Sequence, residues 1–321
     1  MGQGRILAAT AAAAALLLTA CSSSSGSDPA TTADAPAPTT PAAAPTAPGP
    51  ATGPGGSAYV ALGDSYSAGV KISATLPGTP AVCARSADNY PHILAKALNV
   101  PSFTDVTCGG AVTDDFATAQ KGGADGNSIA PTPQYDALGP DTKLVTIGIG
   151  GNDIGFGGIV TTCALSSGST TSATPCTDTF TKNGTDTLKQ RIDATGTKID
   201  NVLATVHTKS PNARILLVGY PAILPETGDG CRDKLPVAPG DLPYLRTTLG
   251  NLNKMLADRA AAGNAAYVDT YTPGRGHDVC QPAGTRWIEG LAPEQPAAPV
   301  HPNALGQQGM AAAVLATAKT A

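Results

Sequence analysis

Four short stretches of this chain carry residue types that could do chemistry together. Ser65 sits in "YVALGDSYSAGV", at the end of an apolar run closed by Gly63-Asp64. Gly109 and Gly110 follow Cys108 in "TCGGAVTDD", and Asn152 and Asp153 follow Gly150-Gly151 in "GIGGNDIGF". His301 stands in "VHPNALGQQGMA", just ahead of a C-terminal helical pattern. A serine hydroxyl is a poor nucleophile near neutral pH unless a base takes its proton, and an imidazole can be that base. Backbone N–H groups beside glycine and a carboxamide are suitable donors to an oxygen that gains negative charge. Alone, Gly-Asp-Ser has a plainer explanation, because these residues turn a chain well. Three such turns after strand-like runs and one late histidine are far more specific together than any one.

The strand-like runs are 59–63, 103–108, 143–150, 214–221 and 265–271. The middle ones are almost continuously apolar, as strands buried on both faces of a parallel sheet must be. Helical patterns lie between them, at Tyr90 to Leu98 and through Leu188, Ile192, Ile199, Val202, Leu203 and Val206. Leu245, Leu249, Leu252 and Leu256 form another apolar face, and Asn303 is placed to cap the last helix. Alternating strands and helices predict one three-layer α/β domain over 57–321, with a five-stranded, mostly parallel sheet. Ligands of such sheets bind outside the carboxyl ends of the strands, where these candidate residues fall.

The other histidines are His92, His207 and His277. The first two fall in predicted helices; His277, beside Asp278 and Cys280, is the rival base. Asp64, Asp114 and Asp153 read as turn braces, and Trp287 as core or as the wall of an acyl pocket. No cluster has metal-ligand spacing, and no cofactor or metal is expected. A net charge of -4 and an aromatic content of 4 % come without a basic stripe, so no nucleic-acid partner is expected. The domain is expected to be monomeric.

The N-terminus reads differently. Arg5 precedes "ILAATAAAAALLLTAC", which has signal-peptide form over 1–20. The run ends in Leu18-Thr19-Ala20-Cys21 and resembles a bacterial lipobox, whose cysteine becomes the lipidated first residue. The alternative is an ordinary secretory signal with a chance cysteine. Residues 21–56, rich in Ser, Ala, Thr and Pro, have too little apolar bulk to fold and read as a tether. The chain would then be exported and membrane-anchored, facing outward. Setting Cys21 aside leaves Cys83, Cys108, Cys163, Cys176, Cys231 and Cys280. None has CxxC spacing, so disulfides are expected in an oxidising compartment. Six cysteines allow fifteen pairings, and spacing does not choose among them.

Ser65, Gly110, Asn152 and His301 are the four blocks by which this sequence resembles the SGNH, or GDSL, hydrolase family, from Tyr59 to the end. "CARSADNYPHILAKAL", "GHDVC" and the segment Trp287 to His301 resemble its secreted actinobacterial esterase and lipase branch. The resemblance implies a flavodoxin-like fold and a carboxylic-ester hydrolase acting on acyl esters or lipids. It implies Ser65 as nucleophile, His301 as base, and an oxyanion hole from the Ser65 and Gly110 N–H groups and the Asn152 amide. It also implies disulfides in sequence order, 83–108, 163–176 and 231–280. One position departs from the pattern: the residue three before His301 is Ala298, not Asp. By the same resemblance, the Ala298 carbonyl is expected to hold the imidazole. An acyltransferase or glycan O-deacetylase would use the same site. A non-catalytic lipid- or glycan-binding lipoprotein would need a broken one.

Overall fold

A computed structural model of the chain describes residues 57–122, 128–168 and 171–320. The expectations for the signal segment, Cys21 and the tether lie outside these residues. Five strands form the central sheet: β1 (Tyr59–Gly63), β2 (Phe103–Asp105), β5 (Leu144–Gly148), β6 (Arg214–Val218) and β7 (Ala266–Val268). Between them lies a short antiparallel hairpin, β3 (Gln120–Gly122) with β4 (Ser128–Ala130), which the sequence pattern did not announce. The central order is β2-β1-β5-β6-β7, and every pairing in it is parallel. This is the flavodoxin-like order, with its topological switch between β1 and β5.

Strand periodicity assigns the two faces. Val60, Leu62, Val145, Ile147, Ile215 and Leu217 belong to one core, and Tyr59, Ala61, Leu144, Leu216 and Val218 to the other. The first core packs against α5 (Thr187–Lys209) and α6 (Leu242–Ala262). The second is covered by α2 (Tyr90–Leu98) and α8 (Ala304–Lys319). All six apolar positions expected of the long helix are buried on α5. The helix starts follow local chemistry. Asn89, Asp186 and Asn303 each accept a first-turn N–H with the side chain.

The outer strands are shorter than expected. β2 and β7 pair on one side only, so the ladder ends early. Beyond β2 the chain still tracks β1: Val106 N–H donates to the Ala61 carbonyl and Cys108 N–H to Gly63. That track delivers Gly109-Gly110 to the end of β1. Three disulfides join Cys83 to Cys108, Cys163 to Cys176 and Cys231 to Cys280. The sequence-order pairing is therefore present.

Candidate active site

The turn after β1 is built around the absence of a side chain. A Cβ on Gly63 would lie 2.5 Å from Ser67 Oγ and 2.7 Å from the Gly148 carbonyl, so only glycine fits. Gln134 locks this peptide, accepting from Gly63 N–H at 2.8 Å and donating to its carbonyl at 3.0 Å. Asp64 N–H donates to the Gly148 carbonyl, so β1 and β5 end side by side. Asp64 then caps α1 (Ser65–Ala68), its carboxylate accepting Tyr66 N–H at 2.9 Å. Ser65 is thus the first residue of a short helix at the switch point of the sheet.

His301 meets it from the loop before α8. Its Nε2 lies 2.8 Å from Ser65 Oγ, and its Nδ1 lies 2.7 Å from the Pro299 carbonyl. A carbonyl can only accept, so Nδ1 carries the hydrogen and Nε2 accepts from the serine hydroxyl. This corrects one expectation: the supporting carbonyl belongs to Pro299, not Ala298. The Ala298 carbonyl is taken by His301's own backbone N–H at 3.2 Å, in a tight turn. Burial lowers the His301 pKa below that of free imidazole, against the Pro299 hydrogen bond, which raises it. The imidazole is therefore poised in its neutral form.

Two further turns face the same point. Gly110 has φ +79°, a backbone region open to glycine. A Cβ there would meet nothing nearer than Gln120 Nε2 at 3.7 Å, so the backbone angle, rather than crowding, requires glycine. Asn152 donates one amide hydrogen to the Ala111 carbonyl at 2.9 Å, which fixes the carboxamide and leaves its second hydrogen for the site. The Ser65 and Gly110 N–H groups donate to no acceptor in the turns and loops of the described residues. Asp153 braces this edge, accepting from Thr113 N–H and Oγ1 and from Lys198 Nζ.

Two concavities open beside Ser65. One, about 820 Å³ counting its open mouth, runs from Ser65 and Asn152 past Phe156 and Val237 to Leu249. Its only charged lining residue is Asp64, whose oxygens are engaged by Tyr66 N–H and by the Tyr220 hydroxyl, which donates to it at 2.6 Å. The other is a more open cleft of about 1010 Å³ on the His301 and Gly110 side, with Val82, Ala84 and Leu291 in its walls. Both share the N-terminal part of α3 (Phe156–Ser166) as a wall.

The remaining candidates are placed elsewhere. His277 stacks on Trp287 with centroids 4.7 Å apart and engages the Thr285 carbonyl, so it is not Ser65's partner. Trp287 lines neither concavity; it packs where a Cβ on Gly309 would come within 2.2 Å of its ring. His92 engages Asn89 and Asp105, and His207 the Gly263 carbonyl. Sequence reasoning missed Tyr66, Gln134, Tyr220 and Pro299. Tyr220 had a legible signal, for it falls just past the carboxyl end of β6.

Comparison with known proteins gives the family. The GDSL-like Lipase/Acylhydrolase family matches residues 61–308. "Lipase 2" of Streptomyces coelicolor is 45 % identical over 262 residues, covering 79 % of this chain and 83 % of that protein. The crystal structure of phospholipase A1 from Streptomyces albidoflavus covers 82 % of this chain and 99 % of its own, with TM-score 0.66 and 30 % identity. An extracellular lipase from Streptomyces rimosus gives the same TM-score at 27 % identity, over 81 % of this chain and 98 % of its own. With its Ser65–His301 pair at the switch point of a flavodoxin-like sheet, this chain belongs to the GDSL-like lipase/acylhydrolase family.

Proposed function

We propose that the chain is an exported serine carboxylesterase or lipase that works through an acyl-enzyme. The observation that carries this is the 2.8 Å contact of Ser65 Oγ with His301 Nε2 at the mouth of an apolar cavity. Ser65 Oγ attacks the ester carbonyl while its proton passes to Nε2. The carbonyl oxygen becomes an oxyanion, which accepts from Ser65 N–H, Gly110 N–H and the Asn152 amide. Collapse expels the alcohol, which takes the proton from Nε2, and Ser65 holds the acyl group. Water activated by His301 then releases the acid. The acyl chain occupies the apolar cavity and the alcohol the open cleft. The Pro299 carbonyl holds the tautomer throughout.

Ser65→Ala should abolish hydrolysis of p-nitrophenyl butyrate with little change in thermal stability, and an alkyl phosphonate should label Ser65 alone. Full activity in the variant, or labelling at another serine, would overturn the assignment. The substrate class is supported by the relatives named lipase, and export by the extracellular relative and the three disulfides. On this reading, residues 1–20 are removed, Cys21 carries lipid, and residues 21–56 hold a monomeric domain off the outer membrane face. The protein should partition into detergent and resist release by salt, and Cys21→Ser should free an active domain. A mature N-terminus elsewhere would remove the anchor and leave the hydrolase.

A further inference from the structure

Tyr220 touches neither Ser65 Oγ nor His301, yet it joins the two turns that carry the site. It stands two residues past the carboxyl end of β6, buried in the wall of the apolar cavity. Its hydroxyl accepts the Gly151 N–H at 2.8 Å and donates to Asp64 Oδ2 at 2.6 Å. Asp64 precedes the nucleophile, and Gly151 precedes Asn152. The fit is close from both sides, because a Cβ on Gly151 would come within 3.0 Å of the Tyr220 oxygen. The Tyr220 backbone is fixed too, its N–H and carbonyl both held by Asn253. The tyrosine is therefore a rigid strut from the sheet and α6, not a side chain filling space.

The hydrogen bonds of this cluster suit the ionised carboxylate. Tyr66 N–H and Tyr220 O–H donate to Asp64 Oδ1 and Oδ2, Gly151 N–H donates to the Tyr220 oxygen, and the Ser67 N–H also favours the charged form of Asp64. A proton on Asp64 Oδ2 would face the Tyr220 hydroxyl hydrogen and break this bond. We propose that Tyr220 is a positioning residue for the hydrolysis, clamping the Ser65 turn to the Asn152 turn through ionised Asp64, so that the oxyanion donors stay in register. This rests on the ester-hydrolase reading of the site.

The clamp is poised to open near neutral pH. Burial pushes the Asp64 carboxyl up to about 7, against the Tyr220 and Tyr66 hydrogen bonds that lower it, and the charge of Asp153 adds to the rise. The groups facing it are Tyr220 from the end of β6, Asp153 from the turn after β5 and Tyr66 from α1, with His301 beyond Ser65. Activity should therefore fall on acidification through two ionisations: Asp64 near 7, and His301 below 6.5, its ordinary value. Stability should move oppositely. The folded state holds the Asp64 proton between about 4 and 7 where the unfolded chain does not, so stability falls as pH rises through that window.

The test is Tyr220→Phe, which keeps the ring in the cavity wall and removes only the hydroxyl. With p-nitrophenyl butyrate, kcat should fall about tenfold to a hundredfold, the scale of a misplaced donor, with KM unchanged. The upper acid limb should move to higher pH, because the carboxylate has lost a donor. Asp64→Asn should also lower kcat and should remove that upper limb, leaving only the one set by His301. Wild-type kcat and an unmoved profile in Tyr220→Phe would overturn the proposal; should that variant not fold, an unchanged profile in Asp64→Asn does the same. Thermal melts give a readout independent of turnover. Measured against Asp64→Asn, the wild type should lose stability as pH rises from about 4 to 7, with the His301 contribution common to both, and a difference that does not change with pH would count against the clamp. Wild-type protein inert on every ester would sink the hydrolase reading and with it the catalytic role of the clamp, whereas an active enzyme with an unmoved profile in both variants would sink the clamp alone.

Discussion

If the apolar cavity beside Ser65 takes the acyl chain, as proposed, activity must depend on chain length. Its wall on α6 is Thr248 with Leu245, Leu249 and Leu252, three of the four leucines whose spacing marked one face of that helix. The fourth, Leu256, is in the core, so a single stripe serves the fold at one end and the cavity at the other. Each methylene moved from water into this lining is worth about 0.8 kcal/mol, or about fourfold in kcat/KM. From a four-carbon to an eight-carbon ester, four methylenes give a ceiling of about 3 kcal/mol, or about 200-fold. Leu249 is half-buried at this wall, so Leu249→Trp should narrow the cavity without removing core volume. The assay is kcat/KM over p-nitrophenyl esters of two to sixteen carbons. Wild-type values should climb steeply from four to eight carbons, and in Leu249→Trp the climb should collapse while the two-carbon ester stays within about threefold. A flat wild-type series, or an unchanged eight-to-four ratio in the variant, would refute this cavity as the acyl site.

Three other outcomes are expected. Asn152→Ala should lower kcat by about 10²–10³, the usual cost of one oxyanion donor, in the same butyrate assay, and a loss under about fivefold would remove it from that role. Pro299→Ala keeps the carbonyl that receives His301 Nδ1, so kcat should stay within about threefold, whereas a side-chain role for Pro299 would give a larger loss. Reducing the disulfides, or replacing Cys231 and Cys280, should lower the melting temperature. A native bridge in such a domain is worth about 2–5 kcal/mol, and non-reducing peptide maps should find the three pairs in sequence order.

Much of this was legible because it is local or periodic. Continuous apolar runs gave the central strands, mixed Leu, Ile and Val spacing gave α5 and leucine spacing gave α6, because burial imposes those periods directly. Ser65, Gly110, Asn152 and His301 were legible because a parallel sheet collects the ends of its strands along one edge. The missed features depend on long-range contact. Gln134 is 71 residues from the Gly63 peptide it locks, and Tyr220 is 156 from Asp64. No local pattern specifies such pairs. The Ala298 expectation failed by one residue for a related reason. Which carbonyl faces an imidazole depends on the backbone angles of the loop, and the left-handed Val300, at φ +58°, turns the chain between Pro299 and His301.

That residue also bears on how a site without a third carboxylate holds its base. A carbonyl offers the imidazole a partial charge where a carboxylate offers a full one, so it helps only if it is held in place. Valine in the left-handed region is costly, of order 1–3 kcal/mol, and persists only where its surroundings over-determine it. Here they do. Val300 N–H donates to the Gly290 carbonyl, and the Val300 carbonyl accepts from the Tyr66 hydroxyl at 2.7 Å. The Tyr66 ring lies 4.8 Å from that of His301. Ala298 N–H is tied to Val70, beyond the helix that carries Ser65, and the His301 carbonyl to Glu289 N–H. Glu289 is in turn buried against Arg286, two of its guanidinium nitrogens at 2.9 and 2.8 Å, and accepts the Asn303 amide at 2.8 Å. A buried pair of this kind adds little net stability but is costly to break. Its geometric effect is to fix the strip of chain on both sides of the histidine. On the proposed mechanism, the work a charged third residue would do through field strength falls to rigidity, and Tyr66, the residue after Ser65, is the contact by which the serine turn itself holds the histidine loop.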